Sequence, residues 1–413
     1  LGLVDRIAVA AAALTLVMYG IGGEYEQPDP AHLTALLAGA AGLAAILSRR
    51  PWAGAFVIVA ALALGVALRL TQEAHLGSDV LPATSEALAV LGTGNDPYAH
   101  VYAQTVPPGG PFGYPPGEIA FYGLLQLAGA DIFRVDRACG LLDLGILAYF
   151  APLAGEGLAA LGLALLATSP DIVFHAADGS NDTAASFLLV AGIGLLAWSV
   201  GRRGRLASGF WYASAVAFGW AVAFKEYALP IAAFVALFLW RREPARTRGW
   251  LGTAAGTCAL FVVPFFAWNP QAFIANVGGA LLVHPEIWGR NVWRDLGTFA
   301  GPALAALPGP VIPAIMLAAA AGLTFVLARR PAGSLGIAIL QGCAVTGTLF
   351  VLARWTTSVY WVFLAPVAVG GVMLALGVEP SGVQNSGRGT DHPYGGRDGT
   401  ADAAAAPLPH GRP

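Results

Sequence analysis

Nine apolar runs, at 7–23, 31–48, 52–68, 183–199, 207–224, 250–267, 308–327, 334–353 and 358–376, each approach the roughly 20 residues that an α-helix needs to cross a bilayer's hydrocarbon. A water-soluble core buries one or two such helices, but its remaining helices must present a polar face to water. Nine of them separated by short polar punctuation have no such arrangement available. The chain is therefore expected to be an all-α, polytopic membrane protein of about 12–13 helices. Composition agrees, because 57% of the 413 residues are hydrophobic and only 11% are charged. That is about half the charged share of a soluble domain.

A formal net charge of −2 supplies no basic face for phosphate backbones, so no nucleic-acid partner is expected. Cys139, Cys258 and Cys343 lie far apart inside apolar runs, with neither metal-ligand nor disulfide-framework spacing, and read as small core residues. The first apolar run has no small-residue cleavage site and is followed by further spans, so it reads as a retained helix.

Cytoplasmic loops are enriched in Lys and Arg, which makes four clusters inside markers: Arg49–Arg50, Arg202–Arg203–Arg205, Arg241–Arg242 with Arg246 and Arg248, and Arg329–Arg330. With these inside a cell membrane, both termini are cytoplasmic and 71–116, 169–182, 225–227, 268–300 and 354–357 are extracytoplasmic. Between 117 and 169 an even number of crossings must join two outer loops, yet three apolar stretches lie there (117–130, 138–152 and 157–169). Each is shorter than a full span, and one of them is expected to be re-entrant. The membrane domain is read as 1–377. The Gly-, Pro-, Ser- and Asp-rich remainder, 378–413, is read as a disordered cytoplasmic tail.

Polar residues collect in the expected outer segments, where they point to function. The first, read on into the next apolar stretch, contains Glu73, His75, Asp79, Glu86, Asp96 and Glu118, and its many Pro and Gly residues impose a shaped loop in which only 80–91 can be helical. Asp79 lies shortly after a span. It is followed by a short helix, by Gly94–Asn95–Asp96–Pro97–Tyr98, and by Phe112–Gly113–Tyr114–Pro115–Pro116 entering the next apolar stretch. This arrangement resembles the GT-C superfamily of polyprenyl-phosphate-sugar glycosyltransferases, and within it the bacterial polyprenol-phosphate-mannose-dependent mannosyltransferases. The resemblance extends over roughly 60–230 and includes a second acidic loop, Ser169–Pro170 with Gly179–Ser180–Asn181–Asp182. It implies a GT-C-like fold with a large first outer loop and makes Asp79, by position, the catalytic base. Three spans precede Asp79 where the family often has one, and Asp79 stands alone where an acidic pair is common. A divalent metal is therefore left open as cofactor.

The chemistry leads to the same residues. Transfer from a lipid phosphate needs a carboxylate to take the acceptor's hydroxyl proton and a cation for the departing phosphate. Asp79 suits the first role, against the reading of a solvated loop carboxylate or helix N-cap. Lys225 suits the second, against that of an interfacial lysine snorkelling to headgroups with Glu226 as its ion-pair partner. Asp182 is a candidate second acidic residue, against an N-cap, and Asp178 competes for that role. Tyr114, with Tyr98 and Tyr102, can stack on a sugar, although interfacial tyrosines are also belt anchors. His284, Arg290 and Arg354 lie in outer segments where cations run against the usual charge bias. They are candidates to meet phosphate or an acidic acceptor, or else belong to an aromatic interfacial stretch. His75 and His175 read as loop histidines.

The expected function is thus a membrane hexosyltransferase that moves a sugar, mannose by resemblance, from a polyprenyl-phosphate carrier to an acceptor hydroxyl on a glycan or lipid, with inversion. The competing reading is a transporter or lipid flippase without chemistry, which needs charges near the membrane midplane.

Overall fold

The structure is a computed structural model, and it describes residues 2–21, 30–75, 77–106, 108–278, 288–289, 292–293, 311–353 and 355–377. These belong to the first of two units into which the chain divides, Leu1–Val378. The expected tail lies in the second, Glu379–Pro413, outside the described residues.

The described chain is all-α. In order the helices are α1 (Leu3–Ile21), α2 (Pro30–Leu47), α3 (Ala53–Thr71), α4 (Val80–Gly92), α5 (Pro116–Leu127), α6 (Ile132–Ala154), α7 (Glu156–Thr168), α8 (Pro170–His175), α9 (Asp182–Ser199), α10 (Arg205–Phe224), α11 (Leu229–Arg242), α12 (Pro244–Trp268), α13 (Pro270–Phe273), α14 (Val311–Ala328), α15 (Leu335–Leu352) and α16 (Ser358–Leu376). A single 3-10 turn, Glu226–Ala228, links α10 to α11. The one sheet among the described residues is a two-residue parallel pairing of β1 (Trp288–Gly289) with β2 (Trp355–Thr356). Among the described residues, ten helices are long and apolar enough to cross a membrane, namely α1–α3, α6, α9, α10, α12 and α14–α16. The shorter α7 and α11 run alongside them between the two ends of the bundle.

The stretch 117–169 corrects one expectation. Its middle segment is not short, because α6 is 23 residues long. Arg134, Asp136, Arg137 and Asp143 break the apolar run, but Asp136 is satisfied inside the bundle, where it accepts from the Tyr122 hydroxyl at 2.6 Å and from the Ala184 N–H at 2.9 Å. With α7 returning beside α3, the segment that does not cross is α5. Its 12 residues, roughly 18 Å of helix, stay near the last turn of α10, where the Trp220 indole N–H donates to the Gly117 carbonyl at 2.9 Å. A Cβ on Gly117 would lie 2.5 Å from the backbone of Ala223, so only glycine permits this close approach.

Several arginines gather at one end of the bundle. At one end Glu243 receives Arg246 at 2.8 Å and Arg203 at 3.6 Å, and Arg241 donates to the Ala328 carbonyl at 2.7 Å. At the other end meet the loop before α4, the loop between α8 and α9, and the α10–α11 turn. These are the arginine end and the acidic end.

Candidate active site

The acidic end is built by stitching two loops that lie about a hundred residues apart in sequence. The N–H groups of Gly77 and Ser78 donate to the Asp178 carbonyl at 2.8 and 2.9 Å, that of His75 to Ala177 at 3.0 Å, and that of Leu81 to Gly179 at 2.9 Å. Asp79 occupies the N-cap position of α4, but its side chain makes no capping hydrogen bond. Instead Oδ2 accepts the N–H of Val106 at 2.6 Å, holding the far limb of the same loop over the site. The N-cap alternative for the Asp79 carboxylate therefore does not apply.

Lys225 is 4% exposed and ends α10 in extended conformation (φ −144°, ψ 119°). Consecutive side chains of an extended backbone point to opposite sides, so Lys225 turns inward while Glu226 is exposed. The ammonium lies 3.7 Å from Asp182 Oδ2, 4.8 Å from the centre of the Tyr114 ring and 5.7 Å from that of Tyr227. The partner of Lys225 is thus Asp182 and not the adjacent Glu226. Snorkelling to headgroups is excluded by the same burial. Asp182 opens α9 but its N-cap is Asn181, and its Oδ1 accepts the Tyr227 hydroxyl. Tyr114 is half-buried, its carbonyl accepting the Tyr98 hydroxyl at 2.8 Å. Burial, then the charges of Asp79 and Glu118, push its phenol well above the ordinary value. Tyr98 and Tyr102 are buried supports of the loop, with Asn276 Nδ2 donating to the Tyr98 carbonyl at 2.6 Å.

Glu118, one of several acidic residues in the first outer segment, proves to be part of this chamber. It is fully buried in the first turn of α5, with Oε2 unpartnered. Oε1 contacts the Thr84 hydroxyl, which also reaches the Val80 carbonyl at 2.8 Å. Glu118 therefore shares the Thr84 hydroxyl with the backbone of α4. Burial pushes its carboxyl up to about 8; Lys225 and Thr84 hold it down, and Asp182 and Asp136 add to the rise. Because the folded state binds this proton more tightly, its stabilising contribution is fully present below about pH 4.5. It is lost as pH rises toward about 8, with a slope of up to about 1.4 kcal/mol per pH unit. Thermal melts of detergent-solubilised protein from pH 5 to 8 are expected to fall with pH, and Glu118→Gln to flatten that fall. An unchanged slope in the variant would assign the effect to another group.

Of the other candidates, His284, Arg290 and Arg354 lie outside the described residues. The backbone beside them is paired, Trp288 with Trp355 and Gly289 with Thr356. Asp178 does not face the chamber. Its Oδ2 is bound to His175 and its Oδ1 accepts the Ser180 N–H. No group of three or more His, Cys, Asp or Glu side chains able to hold a metal occurs among the described residues. No step is routed through a metal.

No protein-family model matches the sequence, and no curated protein matches it. Among solved structures, the Archaeoglobus fulgidus oligosaccharyltransferase, crystallised with Zn and sulfate, aligns with a TM-score of 0.45 and 14% identity over 77% of this chain and 48% of that one. The chain spans about half the length of that protein.

Proposed function

We propose that this protein is a membrane glycosyltransferase that moves a hexose from a polyprenyl-phosphate carrier to an acceptor hydroxyl. The observation that supports this reading is the convergence of Asp79, Tyr114, Glu118 and the buried Lys225–Asp182 pair at one end of a membrane bundle. Arginines at the opposite end make that end cytoplasmic by the charge bias of membrane proteins, and the acidic end extracytoplasmic.

The donor phosphate competes with Asp182 for the Lys225 ammonium, which neutralises charge as the bond from the anomeric carbon to the phosphate oxygen breaks. Asp79 takes the proton of the acceptor hydroxyl as its oxygen bonds to the same carbon from the opposite face, inverting configuration. Tyr114, held against Lys225, stacks on the sugar. Mannose is the favoured hexose, on the resemblance of the first outer loop. An open groove of about 580 Å³ beside α4, lined by Glu86, Asn95, Asp96 and His100, offers the acceptor an approach.

One observation bears on the carrier reading. Arg69 and Asp143 are buried and line a small internal cavity with Gly140 and Thr183. Thr183 belongs to the first turn of α9, which puts this pair toward the acidic end rather than at the midplane where a carrier's coupling charges sit. The deciding experiment incubates purified protein with radiolabelled polyprenyl-phosphate hexoses and a hydroxyl acceptor, with and without divalent metal. Transfer from one donor is the expected result; no transfer from any would favour the carrier.

A further inference from the structure

Three residues that the transfer reaction does not use form a relay at the acidic end. Ser358 Oγ lies 2.8 Å from His175 Nε2, and His175 Nδ1 lies 2.6 Å from Asp178 Oδ2. Ser358 and His175 are 183 residues apart in the chain. A carboxylate only accepts, so Nδ1 carries a proton toward Asp178, and in the neutral tautomer so fixed Nε2 is the acceptor that faces the serine hydroxyl. This is the order nucleophile, base and orienting carboxylate that activates a serine.

The surroundings favour the same polarity. Asp178 is locked by the Ser180 N–H on its other oxygen at 2.9 Å, and the Ser180 hydroxyl donates to the His175 carbonyl at 2.8 Å. His175 and Asp178 are buried, whereas Ser358 is an exposed residue, so the relay reaches the surface at its serine. Ser358 is also the first residue of the 19-residue α16, reached from β2 through Thr357 in extended conformation (φ −114°, ψ 168°). The Thr357 side chain does not cap this helix, and the Tyr360 N–H goes to the Thr357 carbonyl at 3.3 Å. The N–H groups of Ser358 and Val359 are donors that the helix itself cannot satisfy. They lie at the positive end of the helix dipole, where an oxyanion is stabilised.

We propose that Ser358, His175 and Asp178 form a second catalytic centre, a serine triad that acts on carboxylic esters. Oγ attacks the ester carbonyl while its proton passes to His175 Nε2. The resulting adduct collapses by breaking the bond to the alkoxy oxygen, which takes the proton back from Nε2 and leaves as an alcohol. Water or a second hydroxyl, deprotonated by the same imidazole, then releases the acyl group from Ser358. The ester can come from a lipid acyl chain, since Ser358 begins a membrane helix, or from an O-acyl group on a glycan.

The test uses the full-length protein in detergent and in phospholipid nanodiscs, treated with a fluorophosphonate and analysed by peptide mass spectrometry. The expected result is a covalent adduct on Ser358. Ser358→Ala, an exposed truncation, should abolish it, His175→Gln should slow it by about 10²-fold or more, and Asp79→Asn should leave it intact. Absence of an adduct on Ser358 in the unaltered protein, or equal labelling of His175→Gln, would overturn the proposal. Turnover of p-nitrophenyl acetate without phospholipid deacylation assigns the ester to small O-acyl groups; deacylation of nanodisc lipid assigns it to the membrane. Because the readout is an adduct and not sugar transfer, its failure leaves the glycosyltransferase reading untouched, and the converse holds as well.

Discussion

Asp79→Asn is expected to lower hexose transfer by about 10²–10⁴-fold, the contribution of a positioned carboxylate base, in a protein that melts like the original. The amide keeps an oxygen that can accept the Val106 N–H, so the hold between α4 and the far limb of the loop survives the change. What it loses is the capacity to take a proton. Asp79→Ala provides the contrast, since it removes base and loop contact together and should lower the melting temperature as well. Turnover measured with each donor, beside thermal melts of both variants, separates the two roles. A near-original rate for Asp79→Asn would remove Asp79 as the base.

Lys225→Met is expected to destabilise the fold by about 3–5 kcal/mol, because it strands the Asp182 carboxylate in a buried site. Asp182 is 2% exposed and would keep, of its two direct contacts, only the Tyr227 hydroxyl. Adding Asp182→Asn should recover most of that loss, since an amide can still accept from Tyr227 and carries no charge to satisfy. Transfer should stay lost in the double variant by about 10²-fold or more, the scale for removing one preorganised electrostatic contact. Melting curves read the first expectation and transfer assays the second. A double variant that is both stable and active would reduce Lys225 to a structural ion pair.

The spans of this protein were legible because a bilayer imposes one requirement on every crossing segment: about 20 residues that are apolar and helical. Each of the nine runs corresponds to a helix, from α1 to α16. The segment that escaped this reading, α6, did so because Arg134, Asp136, Arg137 and Asp143 dilute its apolar character. Asp136 is tolerated there through Tyr122 and Ala184, partners that come from helices before and after it. Sequence position also suggested Glu226 as the partner of Lys225, whereas an extended backbone separates neighbouring side chains and leaves Asp182 to fill the place. Glu118 gave no signal of its own beyond being acidic. Its burial depends on Gly117 seating α5 against α10 and on Thr84 from α4.

The amino-acid order by itself determined that the chain is a bundle of membrane helices with four arginine clusters marking one set of loops, because hydropathy and charge bias act on local segments. Only the tertiary structure decided which loops share a chamber, which helix fails to cross, and that His175 meets Ser358. Those contacts join residues from 34 to 183 positions apart, and they form because a buried polar group must find a partner wherever the packing of helices brings one.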